Sequence, residues 1–124
     1  MPAEIEIHGS DDPAVRRAAA AALDATGARD GHLAVAFVAE PEIRRLNREH
    51  RGRDAPTDVL SFPVDAAGPA AGPRELGDVV VCPALCDDPI EAVVHGVLHL
   101  CGYDHETDSG EMLALQDRVV DGLR

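Results

Sequence analysis

Residues 93–105 read VVHGVLHLCGYDH, and that stretch decides how the chain is built. Side chains four residues apart on a helix differ by about 40° around its axis, so His95 and His99 share one face, one turn apart. With two imidazoles so spaced, a helix can grip a divalent metal. A third histidine cannot come from the same straight helix. Gly102 makes one reachable, because a glycine just past a helix can take the left-handed conformation that reverses the chain. Tyr103 and Asp104 then carry the backbone round, and His105 is expected to point back toward the first two. Three imidazoles at about 2.0–2.1 Å from one Zn2+ leave a tetrahedral position open, which marks catalytic rather than structural zinc sites. Cys101 lies two residues from His99, about 200° round the helix, and is expected to be a small core residue rather than a fourth ligand.

The spacing H-x3-H-x5-H, with glycine three residues after the second histidine, matches the metzincin site H-E-x-x-H-x-x-G-x-x-H at every ligand position. Gly96 stands where those peptidases carry their general base. Loss of a base typically costs about 10²–10⁴-fold, so a peptidase at this site would be crippled. A zinc-bound water can still be the nucleophile, which suits phosphodiester cleavage too, where the protein's main task is to neutralise charge on a phosphate.

Working outward, Asp87-Asp88-Pro89 is a helix start and predicts a helix from Ile90 to Cys101. Before it, Leu76 to Cys82 reads as a strand stopped by Pro83, and residues 64–75 as a mobile Pro/Gly/Ala loop. Asp58 to Phe62 is another strand, between Pro56 and Pro63. A helix is expected from Pro41 to about Arg51, with Ile43, Leu46 and His50 on one side and Gly52 as its end. His32 to Ala39 is a near-continuous apolar run that predicts a strand buried on both faces. Asp11-Asp12-Pro13 launches an Ala-rich helix to about Thr26, and Glu4 to Ile7 is a short first strand. After the histidines, a last helix runs from about Asp108 to Leu123, with Met112, Leu113, Leu115, Val119 and Val120 as its apolar side. Some strands are too close in sequence for a helical crossover. The fold class is therefore α+β, a mixed four-stranded sheet covered by helices, with the metzincin-like zinc site on a helix and the turn that follows it.

The 124 residues suffice for one domain, 1–124, and aromatics are only 2%, which argues against a binder that stacks bases on aromatic platforms. No run approaches a membrane span, the acidic N-terminus lacks a signal-peptide layout, and three cysteines make no disulfide scaffold. A cytoplasmic setting is expected. Net charge is −12, so nonspecific attraction to nucleic acid is not the default. Against that background Arg44, Arg45, Arg48, Arg51 and Arg53 form a basic island interrupted by one acid, Glu49. Arg44, Arg48 and Arg51 follow i, i+4, i+7, one stripe of the second helix, and arginine's planar fork pairs well with phosphate.

HGVLHLCGYDH resembles the signature H-G-x-L-H-L-x-G-Y-D-H of the YbeY family of bacterial endoribonucleases and rRNA maturation factors. Residues 46–63, LNREHRGRDAPTDVLSFP, are similar to that family's L-N-x-x-Y-R-x-x-D-x-P-T-D-V-L-S-F-P with His50 in the Tyr place, and Gly77 to Val81 to its G-D-I-V-I strand. The resemblance implies one zinc ion bound by His95, His99 and His105, with Arg51 as the functional arginine; the helical stripe it shares with Arg44 and Arg48 makes those two further expected substrate contacts. It implies single-strand-specific RNA cleavage in 16S rRNA 3′-end maturation and ribosome quality control, with the ribosome or its proteins as partners. Only Cys82 to Glu91 separates the G-D-V-V-V strand from the histidine helix, shorter than the family's usual helical stretch, which predicts a thinner cleft wall. Two other readings stay open: a zinc metallopeptidase-like hydrolase, weakened by Gly96, and a non-catalytic ribosome-assembly factor whose metal braces the turn.

Overall fold

The computed structural model describes residues 4–27, 31–64, 75–104 and 107–123. Strands β1 (Glu4–His8), β2 (His32–Phe37), β3 (Val59–Pro63) and β4 (Glu75–Val81) form one sheet in the order β1-β2-β4-β3. β1, β2 and β4 run parallel, and β3 pairs antiparallel with β4, so the sheet is mixed as its short β3–β4 connection requires. The helices are α1 (Pro13–Thr26), α2 (Glu40–Arg51), α3 (Pro89–Leu100) and α4 (Glu111–Leu123). An α+β fold follows, with element boundaries within a few residues of those expected. The last helix begins at Glu111 rather than near Asp108. A 3-10 turn, Pro83–Leu85, fills part of the short segment before α3, and most of the loop expected at 64–75 lies outside the described residues.

The two faces of the sheet are covered unequally. On one, α1, α3 and α4 bury Val15, Ala19, Leu33, Val35, Val79 and Val97 in the main core. On the other, among the described residues, α2 covers the β3–β4 edge, through Ile43, Leu60, Val80 and Cys82. This corrects the expectation for β2. Leu33 and Val35 are fully buried, while Ala34 and Ala36 are only half-buried, because α2 does not reach across the sheet to them.

α3 is the axle of the fold, packed on α1, α4, β3 and β4. Gly96 is where it lies closest to the sheet: a Cβ there would sit 2.5 Å from Val79 Cγ1 and 3.1 Å from Val59 Cγ2. The Ser61 hydroxyl donates to the Gly96 carbonyl at 2.8 Å, tying β3 to the same turn of the helix. The glycine standing in the metzincin base position is thus a packing requirement, and a glutamate there would be driven into β3 and β4.

Candidate metal centre and its cleft

α3 begins with the Asp88 carboxylate accepting from the backbone N–H groups of Ile90 (3.0 Å) and Glu91 (3.3 Å), with Pro89 in the first turn. It ends in a Schellman motif: Gly102 has φ +97°, its N–H donates to His99 O, and Tyr103 N–H donates to Leu98 O. That reversal brings the Tyr103 carbonyl back over the helix end, where it accepts from His99 Nδ1 at 3.0 Å. On the neighbouring turn, His95 Nδ1 lies 2.7 Å from Oε1 of Gln116, which reaches in from α4. Both oxygens can only accept, so each neutral ring carries its proton on Nδ1 and its lone pair on Nε2. The two Nε2 atoms face one another at 3.1 Å, and the rings meet edge to face with centroids 4.6 Å apart.

Converging lone pairs on two imidazoles are the donor set a small divalent cation takes, and the residues present fit such an ion. His105, the third expected ligand, lies outside the described residues. Among the described residues no group of three or more His, Cys, Asp or Glu is arranged to hold a metal.

The histidines open into a cleft of about 650 Å³ whose wall includes Arg51, Thr57, Asp58 and Asp104. Arg51, the last residue of α2, is thereby brought to the histidine site. Arg44 and Arg48 line a separate depression on α2 with Arg45 and Pro56. Their charge is answered locally: Arg44 Nε and Nη2 donate to the two Asp54 oxygens at 2.9 and 3.3 Å, and Arg48 Nη1 lies 3.7 Å from the same carboxylate. The Asp54 carboxyl is held below its ordinary pKa, chiefly by the Arg44 hydrogen bond. Arg45 is likewise bridged by Glu42 and Glu49.

The family follows from the chain as a whole. The family model described as Endoribonuclease YbeY matches residues 5–124. The chain belongs to the YbeY family. A protein of Alkalilimnicola ehrlichii named Endoribonuclease YbeY is 43% identical over 128 residues, covering 90% of this chain and 77% of that one. One of the same name from Rubrobacter xylanophilus is 46% identical over 99 residues, covering 77% and 70%. The solution structure of TM1509 from Thermotoga maritima superposes with a TM-score of 0.58 at 29% identity, over 96% of this chain and 88% of that one.

Within this YbeY-family chain the remaining candidates take plain structural places. Cys101 turns toward α1, where Thr26 Oγ1 donates to its sulfur at 3.4 Å. The Cys86 thiol lies 3.2 Å from the Cys82 carbonyl and is pushed up to about 11, first by burial and then by Asp58, which disfavours the thiolate a metal needs. Thr57 donates to Asp58 at 3.3 Å beside the cleft. No helix among the described residues is long and apolar enough to cross a membrane.

Sequence reasoning missed three groups. Gln116 is buried and holds His95, while Leu113, expected on the apolar side of α4, is exposed. A polar residue in the stripe Met112, Gln116, Val119, Val120 was the available signal. Glu91, 3.3 Å from the Gln116 amide nitrogen, gave none. Asn47 is buried on α2, where its amide donates to Ala55 O at 2.8 Å and pins the loop leading to Thr57 and Asp58.

Proposed function

We propose that this chain is a zinc-dependent, single-strand-specific endoribonuclease acting on the 3′ end of small-subunit ribosomal RNA. Family membership supports the reaction class, since the matched family and both relatives carry the description Endoribonuclease. The observation that carries the site assignment is the pair of Nε2 atoms converging at 3.1 Å in the cleft that also holds Arg51. His95, His99 and His105 would hold one divalent ion. When bound, such an ion supplies Lewis acidity beside a phosphodiester. Arg51 supplies a delocalised cation with a planar donor fork, suited to a phosphate oxygen as negative charge grows on it. Its position on the helix end capped by Gly52 fixes the backbone from which that fork reaches. The packed glycine at position 96 leaves no general base there and disfavours peptide hydrolysis.

A partner-docked mode of action fits the charge. With net charge −12 and three arginines of the island, Arg44, Arg45 and Arg48, already beside their own acids, the chain is poorly suited to hold naked RNA by electrostatics alone. Docking to the ribosome or a ribosomal protein would deliver the substrate, in the cytoplasm and in a ribosome-maturation and quality-control role.

The test is cleavage of a single-stranded RNA carrying a small-subunit rRNA 3′ end at low salt, with wild type, His99→Ala and Arg51→Ala purified identically. Cleavage by wild type alone is expected. Equal cleavage by all three would assign it to a contaminant and move the non-catalytic assembly-factor reading to the front.

A further inference from the structure

Gln116 is the one buried polar residue of α4, on a stripe otherwise made of Met112, Val119 and Val120. Burying an amide on an apolar face is unfavourable unless both of its ends are paired, and here they are paired with two different groups. The Gln116 Nε2 lies 3.3 Å from Glu91 Oε1, an atom that accepts only. The amide nitrogen is therefore committed to Glu91 on α3, which leaves the amide oxygen toward His95 Nδ1 at 2.7 Å. Turned the other way, the amide would set its oxygen against a carboxylate.

The direction of that amide has a consequence for the ring. An imidazole in water by itself prefers its proton on Nε2, the opposite of what the amide oxygen enforces. His95 also borders two hollows: the cleft shared with Arg51, and a smaller one of about 320 Å³ lined by Asp58, Asp87, Glu91 and Gln116. Without a fixed partner on Nδ1, neither the tautomer nor the hollow that receives the lone pair is specified. We infer that Gln116, oriented by Glu91, is a positioning residue that fixes His95 with its Nε2 lone pair facing His99, and so sets the affinity of this pair for a divalent metal. This rests on the reading of His95 and His99 as metal ligands. His99 gets the same service from a backbone carbonyl, that of Tyr103, which no substitution on α4 alters directly.

The experiment uses the full chain and two readouts. The first is imidazole ¹⁵N NMR of the metal-free protein, which reports the tautomer of each histidine. The second is Zn2+ affinity by competition with a chromogenic chelator. Wild type is expected to show His95 and His99 both protonated at Nδ1. Gln116→Leu is expected to move His95 alone toward the Nε2-protonated form and to weaken zinc binding about 10- to 100-fold, the usual range for losing a partner behind a ligand histidine. Gln116→Glu combined with Glu91→Gln, which keeps an acceptor toward His95 and exchanges donor and acceptor between positions 91 and 116, is expected to restore the His95 signature. Glu91→Gln, a change at an exposed site with little bearing on folding, is expected to weaken zinc about 3-fold by releasing the amide's direction. Loss of packing between α3 and α4 would lower the melting temperature but would not move one histidine's tautomer and spare the other. An Nε2-protonated His95 in wild type, or unchanged zinc affinity in both Gln116→Leu and Glu91→Gln, would overturn the inference. His99→Ala separates the two failures. If it too leaves zinc affinity unchanged, the metal reading is at fault; if it abolishes binding while the Gln116 and Glu91 variants bind normally, only the role of Gln116 falls.

Discussion

Two helix ends in this molecule look alike in sequence and differ in kind once folded. α2 and α3 are each 12 residues, each is followed within two residues by a glycine of positive φ, and each carries a dense run of residues suited to chemistry. At the end of α3 the histidines are half-buried, and each Nδ1 meets an acceptor-only oxygen, supplied to His95 by Gln116 of α4 and to His99 by the turn that closes its own helix. Along α2, Arg44, Arg45 and Arg48 are exposed and paired with acids from their own helix or the next loop. Periodicity announces which residues share a face. Whether that face is held for a ligand depends on what the tertiary structure sets behind it.

The sharpest way to break the contrast is at the buried end. His99→Ala should lower RNA cleavage about 10³-fold or more, because the several kcal/mol of charge stabilisation attributed to a bound ion is lost. Retained cleavage, measured against identically purified wild type, would make the two helix ends equivalent. Arg51→Ala should lower kcat about 10²-fold with a smaller change in KM, as expected for a donor that matters most when charge develops. A change confined to KM would place Arg51 with the other arginines as a mere contact.

Gly96→Ala tests how tightly the buried end is built. The added Cβ meets Val79, a stiff β-branched side chain, so a loss of about 1–3 kcal/mol in urea unfolding is expected despite alanine's better helix propensity. On the exposed side, the double variant Arg44→Ala/Arg48→Ala should leave the urea midpoint nearly unchanged, since both ion pairs are exposed and screened by solvent. A clear drop would mean that the Asp54 cluster holds the loop that carries Thr57 and Asp58.

The smallest effect is expected at another exposed charge cluster, on the sheet face that α2 leaves open. His32 lies between Glu75 (2.8 Å) and Glu6 (3.0 Å), with Glu4 its register partner on β1. Its pKa is raised to about 9, first by the Glu75 hydrogen bond and then by that of Glu6. Because the folded value lies above the unfolded one, this contribution is complete below about pH 6.5 and is lost as pH rises through 9. Urea midpoints of wild type and His32→Gln should differ more at pH 6 than at pH 10. A difference that grows with pH would be the wrong sign and would refute the pairing.

How much of this was legible beforehand varies by element. Proline starts and glycine stops placed α1, α2 and α3 within a residue or so, because those residues act through their own backbone angles. The apolar run locates strand β2 but overstates its burial, since HLAVAF does not say how far a helix on the other face will reach. Leu113, expected on the apolar side of α4, is exposed while Gln116 is buried, for the same reason: helical phase is local, but which phase faces the core is set by α1 and α3.

By itself, then, the sequence determined the elements, the mixed sheet, the shared face of His95 and His99, and the turn at Gly102, all of which depend on spacings of a few residues. That Arg51 meets the histidines while Arg44 and Arg48 do not, that Gly96 is closed by Val79, and that Gln116 stands behind His95 emerge from how the elements pack together. These are contacts between residues 17 to 48 positions apart, made by packing helices on a sheet, and packing depends on the shapes of all the elements together rather than on any local pattern.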